Sequence, residues 1–238
     1  MSNLLTDQDH KHRIALLLGI ALASVIAWQT GIGSLILYPF TILATWFHEM
    51  GHGLVAMLAG RGFERLEIFA DGSGVATSLR PADGYGLVDA LVAAGGPFGP
   101  ALAGAALIVA SRSPAATRYA LWILGAALLL STLIWVRSPT GWLVLPALGL
   151  AIGALAWRGA PAWQGFVIQL LGVQACISVW RQFDYLFSPG GSVGGRLQRS
   201  DTGAIADVLL LPYWVWGAAI SAAILALLWL SFRLAFRR

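Results

Sequence analysis

The chain has 238 residues, of which 58% are hydrophobic and only 11% charged, with a net charge of +4. That balance is too apolar for an ordinary soluble domain, and the small positive excess is spread over loops and tails, as suits membrane topology and anionic headgroups. No concentrated basic patch marks a nucleic-acid partner. Cys176 is the only cysteine, which excludes an intramolecular disulfide and a paired-cysteine metal knuckle.

Apolar stretches of about bilayer length recur along the chain. The first, Ile14 to Trp28, follows the Lys11–Arg13 flank and has no small-residue cleavage site after it, so it reads as a retained membrane segment. The second, Ser34 to Ala59, contains His48-Glu49-Met50-Gly51-His52. On a helix this HExxH spacing puts two imidazoles on one face, with the glutamate beside the first placed to act on a metal-bound water. A chance match would leave three costly polar side chains unexplained in an apolar span. His10 and His12 sit in a polar tail and read as solvated.

Between the second and third spans, Arg61 to Asp83 holds Leu66-Glu67-Ile68-Phe69, the turn Asp71-Gly72-Ser73-Gly74, and Val75-Ala76-Thr77. Two short extended runs around a glycine-rich turn predict a membrane-associated β-hairpin. The third span, Gly86 to Ala110, carries Ala93-Ala-Gly-Gly-Pro-Phe-Gly-Pro100. Its Gly95, Gly96 and Pro97 are expected to break helix regularity and line the site or gate a substrate, a closely packed kinked helix being the other reading. Spans four and five, Tyr119 to Val136 and Gly141 to Trp157, are separated by Arg137-Ser138-Pro139. Span six runs from Gln164 to Phe187 and the last from Leu211 to Phe232. Ser188 to Asp207 reads as a flexible glycine- and serine-rich loop re-entering the membrane. Its GGSVGG follows no strand and is not a nucleotide fingerprint.

These elements predict an all-α polytopic membrane protein of about six to seven transmembrane helices with a small hairpin, forming one domain over residues 1–238. Arginine and lysine show a slight excess on the side of the N-terminus, a weak bias towards placing that end in the cytoplasm.

A catalytic zinc ordinarily takes three protein ligands. With the histidines nearly exhausted, the third ligand is expected to be a carboxylate. Asp201, at the end of the flexible loop and opening a helical run, is the leading candidate. Asp184, three residues after Arg181, is the next, its alternative being a local ion pair. Asp89 and Asp207 read equally as water-facing boundary residues, and Asp201 itself as a helix N-cap.

HExxH in a span, a Gly-Pro segment in the next and a late Asp after a loop together resemble the site-2 protease family of intramembrane zinc metallopeptidases, and most of all its small bacterial B-like branch. The resemblance runs from about Leu35 to Trp216. It implies zinc bound by His48 and His52, Glu49 as the catalytic base, and Asp201 as the late ligand, although only the Asp of the family's Asn-Pro-Asp-Gly setting survives. The family's Gly-Pro-x-x-Asn falls on Gly96, Pro97 and Pro100 with its Asn missing. Asn3 is the only asparagine, so an active-site asparagine is excluded.

The expected function is that of a zinc metalloendopeptidase of the bacterial cytoplasmic membrane. It would hydrolyse membrane-protein substrates through zinc-bound water activated by Glu49, and a regulatory membrane partner is one of its expected associates. Gly95, Gly96, Pro97, Gly72 and Gly74 are the expected substrate-binding positions, the last two because a hairpin edge pairs with extended peptide. The competing reading is a membrane adaptor or chaperone that keeps the fold and metal without proteolysis. A transporter would need paired broken helices with repeat symmetry, which are not evident.

Overall fold

The structure is a computed structural model that describes residues 2–79 and 86–236, so the hairpin flank Arg80–Asp83 and the C-terminal Arg237 and Arg238 lie outside the described residues. The order is α1 (Ser2–Trp28), α2 (Gly31–Ile36), α3 (Tyr38–Leu58), β1 (Phe63–Ile68), β2 (Gly74–Ser78), α4 (Leu87–Ala110), α5 (Pro114–Ile134), α6 (Pro139–Arg158) and α7 (Pro161–Arg181). There follow α8 (Phe183–Leu186), β3 (Gly190–Val193), β4 (Arg196–Arg199), α9 (Asp201–Val208) and α10 (Tyr213–Phe236). Among the described residues, α4, α5, α6, α10 and the stretch Pro161–Leu186 are long and apolar enough to cross a membrane, with a shorter apolar segment at Ala15–Trp28. The protein is thus a helical polytopic membrane protein. The helix that carries HEMGH is not one of those five, because His48, Glu49 and His52 dilute its hydropathy.

Local signals set the boundaries. Proline opens α5, α6 and α7 at the first helical position, where its missing N–H costs nothing and its fixed φ suits a helix. Ser113 caps α5 by accepting the Ala116 N–H at 3.1 Å. The span expected over Ser34–Ala59 is broken: α2 ends at Ile36 and α3 restarts at Tyr38, with Pro39 in its first turn. The Gly-Pro run in α4 has the opposite outcome. Pro97 and Pro100 lie inside a helix that continues to Ala110, so the expected loss of helical regularity is corrected.

The glycines of α4 serve close packing on α3. A Cβ at Gly95 would meet the Gly51 carbonyl oxygen at 2.7 Å, and one at Gly99 would strike the Phe47 carbonyl. Two helix backbones therefore touch along one seam, a device suited to a medium that offers no hydrophobic drive between apolar helices.

The first hairpin is built into the core. β1 and β2 pair antiparallel with Leu66 opposite Ala76 and Ile68 opposite Gly74. On its other side β1 meets the turn between α5 and α6: the Leu66 N–H donates to Trp135 O at 2.8 Å, and Arg137 N–H donates to Leu66 O at 2.9 Å. Ile68 N–H donates to Ser138 Oγ at 2.8 Å. Leu66 and Ile68 are 0% exposed. The hairpin turn is held to α3 through Thr45 Oγ1, which donates to Gly72 O, and through Tyr38 OH, which donates to Ala70 O at 2.9 Å.

The segment expected to be a flexible loop is a second hairpin. β3 and β4 pair antiparallel from Gly190–Arg199 to Val193–Arg196. Gly194 and Gly195 form its two-residue turn with φ of 55° and 76°, the left-handed pair that a type I′ hairpin turn requires. Glycine-rich sequence here encodes a tight turn, not freedom.

Candidate metal centre

The site forms where α3 meets α9. His48 and His52 lie one helical turn apart on α3, and Asp201 is the first residue of α9. One ligand atom from each lies within 4.8 Å of the others. His48 Nε2 is 3.1 Å from Asp201 Oδ2, and His52 Nε2 is 3.3 Å from Asp201 Oδ1. His48, Glu49 and Asp201 are buried.

The outer nitrogens of both imidazoles are engaged. His52 Nδ1 is 2.7 Å from the Val92 carbonyl oxygen, which can only accept, so Nδ1 carries the proton. His48 Nδ1 lies 3.1 Å from Gln182 Oε1 in the corresponding arrangement. Each Nε2 of a neutral ring then aims a lone pair at a carboxylate oxygen. Acceptors facing acceptors at these distances require a cation between them or a proton on a ring. Asp201 Oδ2 is also buried without a hydrogen-bond donor. Two imidazoles and a carboxylate are a donor set that suits Zn²⁺ with a position left open. Room for the rings depends on Gly96, where a Cβ would collide with His52 Nε2 and Cε1.

The connection before α9 places Asp201. Ser200 caps the helix by accepting the Gly203 N–H at 3.0 Å while its hydroxyl donates to Ser188 O. Thr202 Oγ1 donates to Leu186 O at 2.8 Å. Asp201 thus sits at a helix N-terminus, where its charge is favoured. Beside the ligand cluster, the Glu49 side chain lies under β2, with Oε1 3.0 Å from where a Gly74 Cβ would be.

A cavity of about 570 Å³ opens over this cluster, walled by β2 from Gly74 to Ser78, by α4 at Val92 and Ala93, and by Val193 and Gln198 of the second hairpin. Since Leu66 spends its backbone groups on the α5–α6 turn, the Leu66–Ala76 pair is one without mutual hydrogen bonds. The Ala76 N–H and C=O therefore point away from β1, and the N–H meets the Glu49 carboxylate.

Of the five glycine and proline positions expected to bind substrate, Gly74 lines this cavity. Gly95, Gly96 and Pro97 are buried in the α3–α4 seam, and Gly72, at φ +86°, packs against Thr41 in the first hairpin's turn. Of the other carboxylates, Asp184 is exposed on α8 and away from the cluster. Asp89 accepts two bonds from Arg61, at 2.7 and 3.3 Å, and one from the Gly86 N–H at 2.8 Å. Asp207 pairs with Arg199 at 2.6 Å. The side chain of Arg181, the expected partner of Asp184, lies outside the described residues. Sequence reasoning missed Gln182, although a glutamine near the end of an apolar span was a signal that something there requires a hydrogen bond.

A polytopic helical bundle that gathers HExxH histidines and a late aspartate beneath an edge strand defines a membrane protein of metallopeptidase type. In agreement, residues 17–231 match the family described as Peptidase M50B-like, and the chain belongs to that family, the B-like branch that its motifs suggest. No curated protein and no solved structure matches the chain.

Proposed function

We propose that the protein is a zinc-dependent intramembrane endopeptidase acting on membrane-protein segments, in the cytoplasmic membrane of a bacterium. The observation that carries this reading is the pair of imidazole lone pairs converging on the Asp201 carboxylate, with Glu49 beside them and the β2 strand above. His48, His52 and Asp201 would hold the metal. Zinc there would supply Lewis-acid polarisation of a carbonyl and acidification of water.

The remaining work falls to the chain's own residues. An extended substrate segment pairs with β2 through the outward C=O of Ala76, which replaces part of the hydrogen bonding lost when a transmembrane helix unwinds. This pairing lays its backbone across the cavity. Glu49 accepts a proton from the attacking water and returns it to the departing amine as the C–N bond breaks. The Val92 carbonyl and Gln182 hold the rings so that both Nε2 atoms face the ligand position. The α3–α4 seam and the buried hairpin keep these groups in register.

The test is Glu49→Gln and Asp201→Ala, each assayed for bound zinc and for cleavage of a single-span substrate. Glu49→Gln keeps zinc and loses turnover, while Asp201→Ala loses zinc. Turnover that survives Glu49→Gln, or zinc that survives Asp201→Ala, overturns the reading. A wild-type protein that holds zinc and cleaves nothing would favour the adaptor reading.

A further inference from the structure

Attack on a peptide carbonyl builds negative charge on its oxygen, and a donor placed to meet that charge is worth about 10²–10³ in kcat. The sequence supplies no asparagine for this, so the donor must be sought among the side chains that line the cavity. Ser200 is spent, since its hydroxyl donates to Ser188 O and accepts from Gly203 N–H. Arg199 is paired with Asp207. Thr77 projects from the face of β2 opposite to Gly74 and Ala76, and Ser78 lies about 13 Å along the strand from the Gly74 that covers Glu49. Gln198 is exposed on the second hairpin.

Tyr185 remains, and its surroundings single it out. It belongs to the short turn Gln182–Leu186, which is tied to the ligand cluster at both ends. Three residues before it, Gln182 holds His48 Nδ1; one residue after it, the Leu186 carbonyl receives the Thr202 hydroxyl next to Asp201. The half-buried Tyr185 side chain lines the cavity together with Glu49 and Asp201. Its hydrogen bond goes to the carbonyl oxygen of the exposed Arg199 at 3.2 Å, long for an O–H donor. Water can serve that carbonyl equally well, so the hydroxyl can turn to a substrate at little cost.

We infer that Tyr185 is a catalytic residue of the proposed peptidase reaction: its hydroxyl donates a hydrogen bond to the scissile carbonyl oxygen as that oxygen becomes negative. The proton stays on the phenol, and no bond to Tyr185 forms or breaks. The inference rests on the peptidase reading and adds to it the electrophilic partner of Glu49.

The experiment compares wild type, Glu49→Gln and Tyr185→Phe, each loaded with zinc, on a fluorogenic single-span peptide. Tyr185→Phe should lower kcat by about 10²–10³ with KM little changed and zinc content equal to wild type. Its affinity for a phosphinic peptide, which mimics the tetrahedral carbon and its oxygens, should fall with kcat, while its affinity for an uncleaved extended peptide should hold. An unchanged kcat, a loss confined to KM, or a loss of zinc overturns the role. Failure of the two ideas is distinguishable: an active wild type with an undiminished Tyr185→Phe sinks only the tyrosine, whereas a zinc-loaded wild type without turnover removes the peptidase reading and this inference together.

Discussion

The two β-hairpins meet over the same cavity but are held in different ways. β1–β2 places Leu66 and Ile68 in the core and shares backbone hydrogen bonds with the α5–α6 turn. β3–β4 is exposed along all of β4, and its support comes from its roots and its tip. At the roots, Ser200 donates its N–H to Pro189 O and its hydroxyl to Ser188 O. At the tip, the Gly194 N–H donates to Ser73 Oγ at 3.2 Å, and the glycine lies against the Phe69 ring. One hairpin is therefore a structural wall that offers a fixed strand edge. The other is a strap whose main service is to deliver Asp201. Burial, not strand content, separates them.

The largest expected effect tests the wall. Leu66→Ala should destabilise the protein by about 2–5 kcal/mol in thermal unfolding, because a fully buried leucine leaves a cavity. Leu197→Ala, at a β4 position that is 92% exposed, should stay within about 0.5 kcal/mol. Equal losses at the two sites would erase the distinction.

A smaller effect belongs to the strap's root. Ser200→Ala removes the cap of α9 and the bond to Ser188, which should cost about 1 kcal/mol of stability. It should also weaken zinc about 10-fold through misplacement of Asp201. Zinc affinity equal to wild type would show that the second hairpin does not position the ligand.

The smallest effect lies at the contact between the tips. Asp71 accepts bonds from Ser73 Oγ at 2.6 Å and Ser73 N–H at 2.9 Å, and these hold its carboxyl below the usual carboxylate range. A lowered folded-state value means that the stabilisation is complete above the unfolded value of about 4 and is lost as pH falls through the folded one. The stability difference between wild type and Asp71→Asn should therefore be present at neutral pH and vanish in strong acid. A difference independent of pH would show that the carboxylate charge plays no part in ordering the Ser73 turn on which Gly194 rests.

The first hairpin was legible because Leu66 and Ile68 alternate with polar residues and a glycine turn follows. The second carries no such alternation, so its glycines read as a flexible loop, although Gly194-Gly195 is itself a strong turn signal between short strands. The Gly-Pro run of α4 left two readings open. Its prolines sit inside a continuous helix, with Gly95 and Gly99 against the backbone of α3 and Gly96 against the His52 ring, as the closely packed reading expected.

What the sequence determined by itself was the membrane class and the placing of His48, Glu49 and His52 on one helix turn, because hydropathy and i, i+4 spacing are local properties. It also narrowed the third partner to a few carboxylates by exhausting the alternatives. The tertiary structure brings one of these candidates to the histidines. Asp89 and Asp207 pair with arginines and Asp184 faces outward, while Asp201 is carried on a short helix to within 3.1 Å of His48. That approach spans more than 150 residues of chain, a distance over which local periodicity holds no information. Gln182, Tyr185 and the outward carbonyl of Ala76 came from the same source, since each owes its role to a neighbour far away in sequence.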